Sequence, residues 1–185
     1  MEDALELYED LKANVRHDGR FHSIRQLVQP DDPLVRDIAR RLVQADDFIA
    51  AVQDFVHAFT TYRPETGDYW RTPSETLARE AGDCDDSAIL TCSLLRNYLP
   101  PEDVFCAVGL WIGIPDSGGH MWVITRGDGD GDNDRIIETT ASSRRPLRGS
   151  YVLMAIFNDA YAFATPRGLG EFDLKPDTVR AGVTV

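Results

Sequence analysis

Ala81-Gly82-Asp83-Cys84-Asp85-Asp86-Ser87-Ala88-Ile89-Leu90-Thr91-Cys92-Ser93-Leu94-Leu95 is the stretch that decides the fold. A glycine turns the chain, and an acid and a cysteine follow. The pattern then becomes helical, with Ala88, Cys92, Leu95 and Leu99 at i, i+4, i+7 and i+11 on one apolar stripe. Cys84 is therefore expected in the first turn of a buried helix. Unpaired backbone N–H groups and the positive end of the helix dipole point at that position. Both favour the thiolate, which is the nucleophilic form. Asp85 and Asp86 oppose it, since nearby negative charge raises a thiol pKa. A catalytic Cys84 thus needs a histidine whose imidazolium holds the thiolate and brings its titration below the free thiol value. The alternative is a small buried cysteine beside helix-capping acids.

The chain upstream reads as helices. Ala4, Leu7, Tyr8 and Leu11 place a helix from Asp3 to about Val15. Residues 1–32 are read as an N-terminal helical arm, either part of the domain or available for docking an assembly partner. Asp32-Pro33 is a cap followed by proline at the first helical position, opening a helix with Leu34, Val35, Ile38, Ala39 and Leu42. Asp46 or Asp47 caps the next, whose stripe is Ile49, Val52, Val56 and Phe59. His57 lies off that stripe and reads as an ordinary flanking histidine. Thr72-Pro73-Ser74-Glu75 is a capping box with proline inside it.

Downstream the chain reads as strands. Val104 to Ile114 is β-rich. His120–Thr125 and Arg135–Thr140 form a hairpin across a polar loop, and Tyr151–Phe157 and Ala160–Ala164 form another. Residues 166–185 are read as an irregular tail. Helices followed by antiparallel strands give an α+β class, with the cysteine helix packed on an antiparallel sheet.

The first hairpin brings chemistry together. If paired residue numbers sum to 258, His120 faces Glu138; if they sum to 260, the two are diagonal neighbours. Either register puts them on one face within hydrogen-bond reach. Strand alternation puts Trp122 on that same cleft-side face, with Met121 and Val123 pointing away. A cysteine at a helix N-terminus with a His–carboxylate pair is the arrangement of an activated nucleophile.

Asp68-Tyr69-Trp70-Arg71-Thr72-Pro73-Ser74-Glu75-Thr76-Leu77, Gly82-Asp83-Cys84-Asp85-Asp86-Ser87-Ala88, Gly119-His120-Met121-Trp122-Val123 and Ile137-Glu138-Thr139-Thr140, in that order, resemble the transglutaminase-like cysteine hydrolase superfamily and its bacterial cysteine proteinase branch. The resemblance spans about residues 35–165 and implies a papain-like core over 33–165. It implies Cys84 as nucleophile, His120 as general base and acid, and Glu138 as the orienting carboxylate, where the family usually has aspartate. It also implies oxyanion donors from the Cys84 backbone and an upstream group, for which Trp70 is the candidate; core packing is the other role for that side chain. A protein or peptide substrate follows. Some bacterial relatives bind calcium near the acids flanking the cysteine, but no metal and no cofactor is assigned here. Asp128–Asp134 resembles a calcium loop but fails the EF-hand pattern, with Asn133 at the glycine position and Thr139 at the bidentate one.

Composition bounds the rest. A net charge of −12 excludes a nucleic-acid footprint, and no apolar run reaches membrane-span length. The acidic N-terminus has no signal-peptide shape, and three cysteines make no disulfide framework, so a cytoplasmic location is expected. The charge is 22 Asp and 9 Glu against 17 Arg and only Lys12 and Lys175. Such Asp-rich, Lys-poor surfaces resemble those of extreme halophiles or their viruses, although high genomic GC content also exchanges Lys for Arg. A non-catalytic binding or assembly module on the same fold, for example virion-associated, is the competing function.

Overall fold

The structure, a computed structural model, describes residues 4–126, 135–141 and 144–184. In chain order the elements are β1 (Glu6–Tyr8), β2 (Leu11–Ala13), β3 (His22–Ser23), a 3₁₀ turn (Ile24–Leu27), α1 (Pro33–Leu42), α2 (Phe48–Phe59), β4 (Thr61–Tyr62), α3 (Pro73–Arg79), β5 (Ala81–Gly82) and α4 (Cys84–Leu95). Then come β6 (Val104–Ile112), β7 (Ser117–Thr125), β8 (Arg135–Ile137), β9 (Ser150–Phe157), β10 (Ala162–Ala164), α5 (Pro166–Glu171), β11 (Lys175–Pro176) and β12 (Val179–Thr184). Among the described residues the main sheet has the order β12-β1-β10-β9-β6-β7-β8, with every neighbouring pair antiparallel. The α+β class is as the sequence indicates. Among the described residues no helix is long and apolar enough to cross a membrane.

Local signals start the helices where they were read. Asp32 accepts from the Leu34 and Val35 N–H groups with Pro33 at the first position of α1, and Asp47 accepts from Ala50 N–H at the start of α2. The Thr72–Glu75 capping box opens α3 with both reciprocal bonds made. Each such cap contributes about 1 kcal/mol. These three helices enclose α4, which they bury against β6 and β7. Ile89, Leu90, Leu94 and Leu95 of α4 are fully buried, so the helix is held by packing on all sides rather than by one amphipathic stripe.

Two readings of the chain ends are corrected. Residues 4–15 are not a helix; they contribute β1 to the main sheet and β2 to a smaller three-stranded one. The spacing of Leu7, Tyr8 and Leu11 suits a helix only if adjacent residues share a face. Here Leu7 packs with Trp122 and Phe163 on one side of the sheet, while Tyr8 packs into the helix-side core. A sheet covered on both faces buries successive residues, which erases the alternation that marks a strand. The described residues 4–32 therefore form strands and a 3₁₀ turn rather than a helical arm. Likewise residues 166–184 are not irregular: α5 caps the chain's return and β12 pairs with β1.

Candidate active site

Three elements position the site. Cys84 is the first residue of α4, after the extended residue Asp83. Gly82 precedes them because Asp86 packs directly on its backbone: a Cβ there would lie 2.5 Å from the Asp86 Cβ. The first backbone hydrogen bond of the helix is Ser87 N–H to the Asp83 carbonyl. Cys84, Asp85 and Asp86 thus keep N–H groups free of helix bonding. Two backbone N–H groups, of Met121 and of Asp85, point at the Cys84 sulfur.

The β7–β8 pairing follows the register summing to 260, as Val123–Ile137, Ile124–Ile136 and Thr125–Arg135. His120 and Glu138 are diagonal, and the His120 Nε2 lies 3.1 Å from Glu138 Oε2. Nδ1 of His120 makes no protein hydrogen bond among the described residues. Cys84 and His120 line one cavity of about 240 Å³, together with Trp70, Asp85, Met121 and Phe172. Trp122 stacks on His120 with ring centres 6.0 Å apart, so the two share a face. That face is not the helix side, however. Met121 and Val123 turn toward α4, and Met121 is the residue that lines the cavity beside His120.

Glu138 is fully buried just beyond the end of β8. Its Oε1 accepts from Thr139 N–H, Thr140 N–H and the Thr140 hydroxyl, and Oε2 accepts from the Tyr151 hydroxyl at 2.8 Å as well as facing His120. Burial alone would raise its pKa, yet the hydrogen bond and charge of His120 and the Thr140 donors hold it at about 2. The extra methylene of glutamate is thus accommodated by placing the residue past the strand end, where the Thr139–Thr140 turn wraps its carboxylate. The Glu138 carbonyl is fixed by Gln53 Nε2 at 2.8 Å and lies 3.1 Å from His57 Nε2. His57 is therefore a scaffold of the site and not a bystander on a helix flank. Tyr151 and Gln53 were not found in the sequence, because their reach to Glu138 crosses strands and layers distant in the chain; a Thr-Thr pair after Glu138 was the one local signal.

The thiol does not titrate as the helix dipole suggests. Burial pushes Cys84 up to about 12, followed by the charge of Asp85; the N–H groups of Met121 and Asp85 pull only partly back. Desolvation and local acids win over the dipole. Trp70 lines the cavity but is buried and stacked on Phe157, 5.9 Å between ring centres at 7°. Cys92 and Cys106 are fully buried in the core, as expected.

Behind Cys84 lies a carboxyl cluster. Oxygens of Glu65, Asp83 and Asp86 sit within 4.8 Å of one another. Burial and the neighbouring charges push the Asp85 carboxyl well above the usual carboxylate range, and burial raises Asp83 and Asp86 too. Arg71 joins Asp86 and Glu65 through a two-pronged guanidinium. The acidic stretch 128–134 lies outside the described residues.

The sequence profile of the CEP76 peptidase-like domain matches residues 68–164, just over half of the chain and all of the segment that carries Cys84, His120 and Glu138. The chain belongs to the CEP76 peptidase-like domain family. No curated protein matches it in sequence. Among solved structures it is similar to Legionella pneumophila LapG. The EGTA-treated form is 18% identical with a TM-score of 0.53, covering 75% of this chain and 94% of LapG. The calcium-bound form is 15% identical with a TM-score of 0.53, covering 84% and 94%. At such identities the likeness is one of fold, and it is the transglutaminase-like α+β fold. The CEP76 peptidase-like segment thus runs from the loop before α3 through β10, and β1 and β12 complete the sheet beside it.

Proposed function

We propose that this CEP76 peptidase-like domain is a cysteine hydrolase acting on peptide or amide bonds through Cys84, His120 and Glu138. One observation carries the reading: a single cavity is lined by the cysteine and by a histidine whose Nε2 is tied to a buried carboxylate. With Nε2 engaged by Glu138, His120 has Nδ1 for the cavity. A substrate carbonyl carbon is attacked by the Cys84 sulfur as Nδ1 takes the thiol proton. A C–S bond forms, the carbonyl π pair moves to oxygen, and His120 becomes an imidazolium that Glu138 stabilises. Collapse breaks the C–N bond, the amine leaves with the proton from Nδ1, and a thioester remains. Water, deprotonated by the same nitrogen, hydrolyses it to the acid and free thiol. The Cys84 backbone N–H, unused by the helix, is suited to the oxyanion, with Trp70 as a second candidate. A lysine amine in place of water would give transglutaminase chemistry.

The high thiol pKa assigns His120 a larger share of the work. Desolvation and the charge of Asp85 keep the Cys84 thiol protonated near neutral pH. Attack therefore requires the base during the step, not a preformed ion pair. The same observation favours the second reading, a non-catalytic module on this fold, if His120 does not engage the thiol. Incubation with a panel of fluorogenic peptide amides separates the two. Turnover lost in Cys84→Ala and His120→Ala supports the hydrolase, and none in any substrate supports the module.

One of the LapG structures is calcium-bound. Carboxylate oxygens are calcium's ligands, and Asp83 and Asp85 each hold a buried Oδ1 without a hydrogen-bond partner. Both oxygens of Glu65 and both of Asp86 are instead engaged by Arg71. With that guanidinium in place the set does not fit an ion, and no step here runs through one.

A further inference from the structure

Four carboxyl groups crowd behind the nucleophile, and like charges so close cannot all ionise unless a cation sits among them. Asp86 is fully buried, and Asp85 is 6% exposed with one oxygen unpartnered. The guanidinium of Arg71 stands in this cluster. Its Nη1 donates to Asp86 Oδ2 at 2.5 Å and to Glu65 Oε1 at 3.1 Å, its Nη2 to Glu65 Oε2 at 2.7 Å, and its backbone N–H to Asp86 Oδ1 at 2.9 Å. The side chain is 10% exposed and lies over the Tyr69 ring. Its backbone is pinned between buried Trp70 and the Thr72 cap.

We propose that Arg71 occupies the place of a divalent cation. It bridges the acids that would otherwise ligate calcium, so the domain folds and holds the start of α4 without added metal. A hard cation needs six to eight oxygens at about 2.3–2.6 Å; the guanidinium holds three of those the cluster offers and the Arg71 backbone N–H a fourth. Remove the guanidinium and Glu65, Asp83 and Asp86 become a calcium site. The inference concerns folding and is independent of whether Cys84 turns over a substrate.

Thermal melting in EGTA and in calcium chloride, at constant ionic strength, tests it. The wild-type midpoint should be the same in both. Arg71→Gln should melt lower in EGTA and rise by about 5–10 °C when calcium is about a hundredfold above its Kd; folding only in calcium is the same result in stronger form. Glu65→Gln in the Arg71→Gln background should abolish that rise. Three results overturn the proposal: a wild-type midpoint that falls by several degrees in EGTA, an Arg71→Gln chain equally unstable with and without calcium, or a double variant that keeps the calcium response.

Discussion

Replacing Glu138 by glutamine changes one atom and tests the most densely bonded group in the site. The carboxylate is buried and held at about 2, against an ordinary 4.5. At about 1.4 kcal/mol per pKa unit, that difference is about 3 kcal/mol of stability supplied by the anion's partners. For a folded pKa below the unfolded one, the contribution is complete above about 4.5 and is lost as pH falls from there through about 2. Glu138→Gln should therefore lower the melting midpoint by about 6–12 °C at pH 7, at about 2–4 °C per kcal/mol for a chain of this size. The deficit should shrink toward zero as both proteins are taken to pH 2. A second consequence concerns the imidazole. Oε1 accepts three donors, so the amide oxygen belongs there and the NH₂ falls opposite His120 Nε2. That nitrogen must then accept, which places the ring proton on Nδ1, the tautomer that cannot take a thiol proton. Imposing the wrong tautomer costs about 10⁴ in turnover in a serine triad, and a loss of similar order is expected here. Calorimetry from pH 7 to pH 2, with a peptide-amide assay at pH 7, reads both. A midpoint difference that is the same at every pH would refute the electrostatic reasoning.

Other perturbations follow from single contacts. Tyr151→Phe removes a donor to Glu138 Oε2 and strands the Leu147 N–H that the hydroxyl accepts from; it should cost about 1–2 kcal/mol at pH 7, with a smaller difference near pH 3, and an unchanged melting curve would contradict it. Gly82→Ala drives a methyl into Asp86, which Arg71 holds in place, so about 1–3 kcal/mol of destabilisation is expected in urea unfolding, and a neutral result would mean the turn relaxes freely. Leu94→Ala should cost about 2–5 kcal/mol by the same measurement, since the side chain is fully buried; a loss under 1 kcal/mol would show that α4 is not the centre of the core. We propose that the acidic composition makes folding salt-dependent: 31 acids against 19 bases repel until screened, so melting points should climb from low to molar KCl, and a flat series would remove the halophile reading.

The parts legible in the sequence were those written in local chemistry. Caps at Asp32, Asp47 and Thr72, the glycine before Cys84, and the period-2 strands around His120 each announce themselves within a few residues. His120 and Glu138 could be brought together because a hairpin register has only a few solutions. What was not legible depends on distant packing. Leu7 and Tyr8 are buried on opposite sides of the same sheet, and no local pattern separates that from a helix face. His57 reaches Glu138 across layers and Tyr151 across strands distant in the chain, and the bridge from Arg71 to Glu65 and Asp86 exists only in the fold. The thiol was misjudged for the same reason. Helix position is visible in sequence, whereas the crowding around the half-buried Cys84 sulfur is not.

The central claim is that His120 acts on the half-buried Cys84 thiol. Alkylation by limiting iodoacetamide at pH 7, followed residue by residue by mass spectrometry, tests it most directly. Cys84 should label well before Cys92 and Cys106, which are fully buried. Its rate should fall at least about a hundredfold in His120→Ala, the lower end of what a positioned base contributes. Equal rates at the three cysteines, or a Cys84 rate indifferent to His120, would contradict the account.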